Sequence, residues 1–130
     1  MLYANLSLEE DPIIVCTIND FDPSVKDVNE FFENLQSKID ATSGDYVLIT
    51  VSEYARYISS DARMAITNYS KLLMNKYRDR NKGNLLVTNS TVVRLLFKGL
   101  SLLDRNLAQV EIVSSLKEAK VRAQEMLLGK

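Results

Sequence analysis

The sequence predicts a single α/β domain over residues 1–130, with an N-terminal hairpin, repeated strand–helix units and a mixed, mostly parallel sheet that has helices mainly on one face. Short apolar runs rich in β-branched residues alternate with longer segments whose apolar residues recur at helical spacing. Such alternation is typical of strands that pair in parallel through crossover helices. A length of 130 residues, with 46% hydrophobic and 25% charged residues, fits one ordinary globular domain.

The N-terminal part predicts a β-hairpin. Apolar residues alternate there with polar or aromatic neighbours, as in a half-buried strand. The alternating residues are Leu2, Ala4, Leu6 and Leu8. The segment 9–12 has the composition of a turn, and the apolar run 13–18 is typical of a strand buried on both faces.

The first helix has the strongest start signal in the chain. Asp22 is a candidate N-cap, and Pro23 suits the first helical position, where a missing N–H costs nothing. The residues predicted to face the core recur at helical spacing. They are Val25, Val28, Phe32, Leu35 and Ile39. The turn residues 42–45 end this helix, and the apolar segment 46–51 predicts the next buried strand.

A second helix is predicted from about Ser60 to Arg80, after a connector over 52–58. Its inward-facing residues are Ala62, Ala65, Ile66, Tyr69, Leu73 and Tyr77. Gly83 is expected to end this helix in a left-handed conformation, and residues 85–87 predict a third buried strand.

The C-terminal third predicts two more helices and a short strand between them. The expected elements are a third helix capped by Asn89 or Ser90 and running to about Leu103, and a strand over 110–113. Ser115 and Glu118 have capping-box spacing for the last helix, which Gly129 closes. If successive strands pair side by side, right-handed crossovers place the connecting helices on one face and leave the other comparatively open.

The residue types restrict the chemistry that we expect. The chain has no His, which removes histidine acid–base pairs and nearly all zinc sites, and it has no Gly-rich phosphate loop. Cys16 lies in an apolar strand, where a buried and inert thiol is expected. We therefore expect no enzyme, cofactor or metal. No apolar run approaches about 20 residues and the N-terminus has no basic leader, so a cytoplasmic protein is expected.

Charge divides the chain into two halves. Residues 1–55 carry two bases and eleven acids, whereas residues 56–130 carry fourteen bases and six acids. The two halves are expected to attract each other within the fold, although a polarised docking surface is the alternative. The basic run 76–82 suits a helix C-terminus, and the acidic half opposes a polyanion, so we do not expect nucleic-acid binding.

Several polar residues fall just beyond the carboxyl ends of the predicted parallel strands. They are Asp20, Asp22, Ser52, Glu53, Asn89 and Ser90. Open α/β sheets bind ligands at that edge, and the carboxylates there suit Mg²⁺. Helix capping explains the same residues with fewer assumptions, and we therefore expect caps rather than a metal site.

Three stretches combine strand ends with polar residues in a recognisable order. They are 51–60, 85–90 and 110–119. Together with the order of elements, they resemble the STAS family, the group that includes the bacterial anti-sigma-factor antagonists of the SpoIIAA type, and within it the uncharacterised stand-alone members. The resemblance spans about residues 2–128. It implies a STAS-like fold and a regulatory, protein-binding function without catalysis.

The resemblance also implies a role for one serine. In family members that switch partners, a serine at the start of the second helix is phosphorylated and the added charge breaks binding. Ser60 matches this phospho-acceptor position. Thr50, Ser59 and Ala62 stand where the family has Asp, Asp and Gly, so the switch motif is degenerate. A plain helix cap explains Ser60 without the switch, and we expect Ser60 to cap the second helix.

The third helix has more apolar residues than one packing face hides. If Val92, Val93, Leu96, Leu100 and Leu103 fill the core face, Leu95 and Leu102 stay outside. A polar stripe runs beside them through Arg94, Lys98, Ser101 and Arg105. We expect an interaction surface made of Arg94, Leu95, Lys98, Leu102 and Arg105. A protein partner or a second copy is the expected occupant, a lipid or membrane surface is the alternative, and burial between neighbours would require neither.

Overall fold

The chain forms one mixed β-sheet with helices on both faces. The computed structural model describes residues 3–19, 22–52, 59–102 and 109–129. The elements within these ranges are β1 (Ala4–Glu10), β2 (Ile13–Ile18), α1 (Val25–Ala41), β3 (Tyr46–Val51), α2 (Ser60–Lys76), β4 (Asn81–Val87), α3 (Thr91–Ser101), β5 (Glu111–Val113) and α4 (Leu116–Leu127). The sheet order is β1-β2-β3-β4-β5; β1 is antiparallel to β2 and the other neighbours are parallel. The predicted α/β class and the mostly parallel sheet are confirmed.

The helices α1 and α2 cover the same face of the sheet. Four predicted core residues of α1 are buried, namely Val28, Phe32, Leu35 and Ile39, whereas Val25 is exposed and the expectation for it was wrong. They pack with Ile14 of β2 and Ala62 of α2 in one cluster. Phe32 and Tyr69 stack with ring centroids 5.0 Å apart, which joins the two helices directly.

The opposite face is covered by α4, so the expectation of a comparatively open face was wrong over the middle of the sheet. Ala119 and Ala123 of α4 are fully buried against Val47, Ile49 and Leu85. The crossover argument applies only to helices that connect two parallel strands. Because α4 follows the last strand and connects no pair of strands, the crossover rule does not predict which face of the sheet it covers.

Two helix starts differ from the sequence prediction by one or two residues. Ser24 caps α1, not Asp22, and it forms a complete capping box with Asp27. Ser59 caps α2, not Ser60, because its hydroxyl accepts from the backbone N–H of Ala62 at 3.3 Å. Ser90, one of the two predicted caps of α3, accepts from the N–H of Val93 at 3.2 Å.

Gly83 lies inside β4 and does not end a helix, so that prediction was wrong. The helix α2 ends earlier than predicted, with Tyr77 as its C-cap, and β4 begins at Asn81. A Cβ added at Gly83 would overlap the thioether of Met126 in α4. The glycine therefore allows α4 to approach the sheet closely. Gly129, by contrast, has a φ of 80° and follows α4 as predicted.

Candidate interaction surface

The outward side of α3 carries apolar residues with no described neighbour over them. Leu95 is 63% exposed, Leu102 is 87% exposed and Val92 is 57% exposed. Val92 was predicted to face the core, and its exposure corrects that prediction. Gly99 lies on the same side, and a Cβ added there would meet nothing within 4 Å. We call Val92, Leu95, Gly99 and Leu102 the α3 apolar surface.

Successive residues of this surface are three, four and three positions apart in the sequence. This spacing places them along one side of a helix. Leu102 directly follows the last residue of α3. Val93, on the inward side, is 9% exposed, and Phe97 is half-buried. The predicted exposure of Leu95 and Leu102 is thus present, with Val92 added to it.

The predicted basic stripe is divided between two roles. Arg94 donates to the backbone carbonyl of Thr88 at 3.1 Å and to the hydroxyl of Ser114 at 2.9 Å. Its guanidinium therefore ties the start of α3 to the ends of β4 and β5. Lys98 is exposed on the next turn. Arg105 and Leu103 lie outside the residues that the structure describes, as do the side chains of Leu96, Leu100 and Ser101.

Ser60 is the first residue of α2 and is exposed. Its hydroxyl accepts from the guanidinium of Arg63 at 3.4 Å and does not cap the helix. The capping role assigned to Ser60 from the sequence belongs to Ser59, and the assignment was therefore wrong by one residue. An exposed hydroxyl at a helix N-terminus is accessible to modification, and Ser60 remains the position that matches the phospho-acceptor.

At the carboxyl edge of the sheet, the structure describes only some of the polar residues that the sequence places there. Ser90 is a cap, and Asp22 precedes the capping box of α1. Asp20 and Glu53 lie outside the described residues. Over the ranges that the structure does describe, no three His, Cys, Asp or Glu residues lie close enough to hold a metal ion.

The lone thiol lies in the sheet interior. Cys16 is 1% exposed, and burial raises its pKa to about 12. At neutral pH the group is therefore a protonated thiol, which is a poor nucleophile.

The basic run 76–82 serves the fold at several positions. Lys76 and Arg80 lie over the ring of Tyr77, at 5.3 and 5.7 Å from its centroid. Tyr77 donates a 2.6 Å hydrogen bond to Asp40 at the end of α1. Lys82 lies 3.9 Å from Asp45. The contacts of Tyr77 with Asp40 and of Lys82 with Asp45 join the basic half to the acidic half, as the charge division predicts.

A further ion pair of the same kind links the two ends of the chain. Lys120 of α4 lies 2.7 Å from Glu10 of β1.

None of the helices within the described ranges is long and apolar enough to cross a membrane. No protein-family model, curated protein or solved structure matches this chain.

Proposed function

We propose that this domain is a non-catalytic regulatory module that binds a protein through the α3 apolar surface, in the manner of STAS domains but with a degenerate switch motif. The observation that carries the proposal is the exposure of Val92, Leu95 and Leu102 along one side of a short helix. Contiguous exposed apolar side chains mark interaction sites more often than scattered ones do.

Gly99 supports a close-packed partner. An exposed glycine inside a helix costs about 1 kcal/mol relative to alanine. Neither a left-handed backbone nor a described neighbour requires a glycine at this position. The absence of a side chain there leaves a shallow recess between Leu95 and Leu102, into which a partner side chain can fit.

The arrangement of Arg94 favours a protein over an anionic membrane. A membrane-surface helix uses its cations to meet lipid phosphates. The guanidinium of Arg94 instead donates hydrogen bonds within the protein, to the Thr88 carbonyl and the Ser114 hydroxyl. Lys98 is exposed beside the α3 apolar surface, and this residue keeps a lipid surface as the second candidate.

The test compares two double variants in affinity capture from the native host. Leu95→Ser with Leu102→Ser alters the α3 apolar surface, whereas Met64→Ser with Leu72→Ser removes two other exposed apolar residues, from α2. Both variants should keep the wild-type melting temperature, because exposed side chains contribute little to folding. We expect a captured protein to be lost with the α3 pair and retained with the α2 pair.

Three outcomes would contradict the proposal. Unfolding of the α3 variant would show that the leucines belong to the core. Equal capture by both double variants would place binding elsewhere. Co-sedimentation with phosphatidylserine vesicles that Lys98→Glu abolishes would assign the surface to lipid.

Gly99→Ala separates folding from binding on the same surface. The added methyl group should stabilise the helix and raise the melting temperature slightly. It should weaken partner binding if a partner side chain fits between Leu95 and Leu102. Unchanged binding would mean that no such close approach occurs.

A further inference from the structure

A second feature lies at the other end of β4 from α3. A cavity of about 510 Å³ opens between the C-terminal ends of α2 and α4 and the amino-terminal end of β4. Its lining is mostly polar, with several amides and cations, and the thioethers of Met74 and Met126 supply apolar wall. Clefts of this volume accommodate small molecules.

Three asparagines that line the cavity, Asn75, Asn81 and Asn84, have their side-chain oxygens occupied by the protein itself. Asn81 accepts from the N–H of Gly83 at 2.9 Å, and its amide nitrogen donates to Asn84 Oδ1 at 3.2 Å. Arg78 donates to Asn75 Oδ1 at 3.0 Å. Among the residues that the structure describes, no acceptor is paired with the amide nitrogens of Asn75 and Asn84. These bonds orient the amides of Asn75 and Asn84 so that their nitrogens are available as donors to a ligand.

The charged side chains of the cavity also favour a negatively charged ligand. Arg122 holds Glu111 through two hydrogen bonds of 2.9 Å, so the carboxylate in the wall is already neutralised. Arg78 has no carboxylate within ion-pair distance over the described ranges. At the end of α2, the N–H of Tyr77 bonds to the carbonyl of Leu73, and the N–H of Asn81 bonds to the carbonyl of Tyr77. The remaining charge and the remaining hydrogen-bonding capacity therefore both favour an anion.

We propose that this cavity binds a small molecule that carries an oxyanion, a phosphate or a carboxylate, attached to an apolar group. Arg78 and the amide nitrogens of Asn75 and Asn84 donate to the anion oxygens. A guanidinium suits this role because its planar donors match two oxygens at once. The apolar group packs against Met74 and Met126, since thioethers adapt to irregular or aromatic surfaces.

The experiment titrates ¹⁵N-labelled protein with phenyl phosphate at constant ionic strength and follows amide chemical shifts. We expect saturable shifts at the side-chain amides of Asn75 and Asn84, with weaker binding of inorganic phosphate and of benzyl alcohol. Arg78→Ala should weaken binding at least about tenfold, which corresponds to about 1.4 kcal/mol. Arg78→Lys should restore only part of the loss, because an ammonium lacks the fork.

Arg63→Ala is the matched control. Arg63 is an exposed arginine of α2, and like Arg78, which follows that helix, it donates one side-chain hydrogen bond three residues back, here to Ser60. Its removal changes the net charge equally and should leave binding unchanged. Absence of saturation with phenyl phosphate, or equal weakening by Arg78→Ala and Arg63→Ala, would overturn the proposal. The α3 apolar surface is not involved, so either proposal can fail alone.

Discussion

The guanidinium of Arg80 donates a 2.6 Å hydrogen bond to the hydroxyl of Thr42, the residue that ends α1. The same side chain also donates to three backbone carbonyls at 2.9 Å, those of Ile39, Thr42 and Gly44. Arg80, which follows α2, thus supplies hydrogen-bond donors to the carbonyls at the C-terminal end of α1 that have no partner within that helix. Arg80 therefore joins the loop before β3 to the loop before β4 through hydrogen bonds.

Arg80→Ala should destabilise the protein by about 2–3 kcal/mol, because partly buried carbonyl groups lose a charged donor. Arg80→Lys should recover less than half of this loss, since an ammonium does not reproduce the planar fork. Urea unfolding monitored by circular dichroism measures both values. Arg78→Ala, two residues away, is the control and should be nearly neutral. Full rescue by lysine would contradict this reading of the geometry.

Ser59 and Ser60 should respond differently to the same substitution. Ser59→Ala should cost about 1 kcal/mol of unfolding free energy through loss of the cap, whereas Ser60→Ala should be nearly neutral. Ser60→Asp should also be tolerated, because a negative charge in the first turn is favourable. Chemical denaturation of the three variants provides the comparison. A larger loss at Ser60 than at Ser59 would move the cap back to Ser60.

Gly83 and Met126 should show strong coupling in a double-mutant cycle. Gly83→Ala should cost about 1–3 kcal/mol, because the new methyl group displaces the Met126 thioether. In the Met126→Ala background the same change should cost much less. Gly44→Ala is the control, since an added Cβ there meets nothing within 4 Å. Additive free energies for the pair would show that the two residues do not compete for space.

Cys16 should resist modification in the native state. Its burial and raised pKa leave almost no thiolate at pH 7. We expect a maleimide to label it at the rate of unfolding, and rapidly in denaturant. Mass spectrometry of timed samples provides the rate. Immediate labelling without denaturant would contradict the placement of Cys16 inside the sheet.

Glu111 should make stability depend on pH. The hydrogen bonds from Arg122 hold the pKa of this carboxyl below its usual value, despite partial burial. A carboxyl whose pKa is lower in the folded state stabilises the protein above its unfolded pKa, and the contribution is lost as pH falls through the folded pKa.

Glu111→Gln should therefore cost up to about 1 kcal/mol at pH 7, because the pair is partly exposed. The difference from wild type should shrink as the pH falls through the lowered pKa of the folded carboxyl, as measured by urea unfolding at neutral and at acidic pH. A constant difference would assign the effect to packing.

The strands were easier to predict from the sequence than the contacts between distant elements. The bounds of β2 and β3 follow from continuous apolar runs, and the helical spacing of Val28, Phe32, Leu35 and Ile39 identifies the buried face of α1. Gly83 was misplaced because a glycine suits a turn as well as a close approach. Its partner Met126 is far away in sequence, and no local pattern connects the two.

The same distinction applies to the candidate sites. Exposure of Leu95 followed from counting residues around a helix, which is a local calculation. The internal role of Arg94 depends on Ser114, a residue of another segment that only the fold brings near. The cavity beside Arg78 was not predicted at all, because it is assembled from the ends of α2, β4 and α4.

The position of α4 in the chain has a consequence for synthesis on the ribosome. All five strands emerge before the helix that covers the face formed by Ile13, Val47, Ile49 and Leu85. Until α4 has emerged and docked, this apolar face of the sheet is exposed to solvent. Such an intermediate is a substrate for chaperones and is prone to aggregate. Docking of Ala119 and Ala123 onto the sheet is the step that removes this face from solvent.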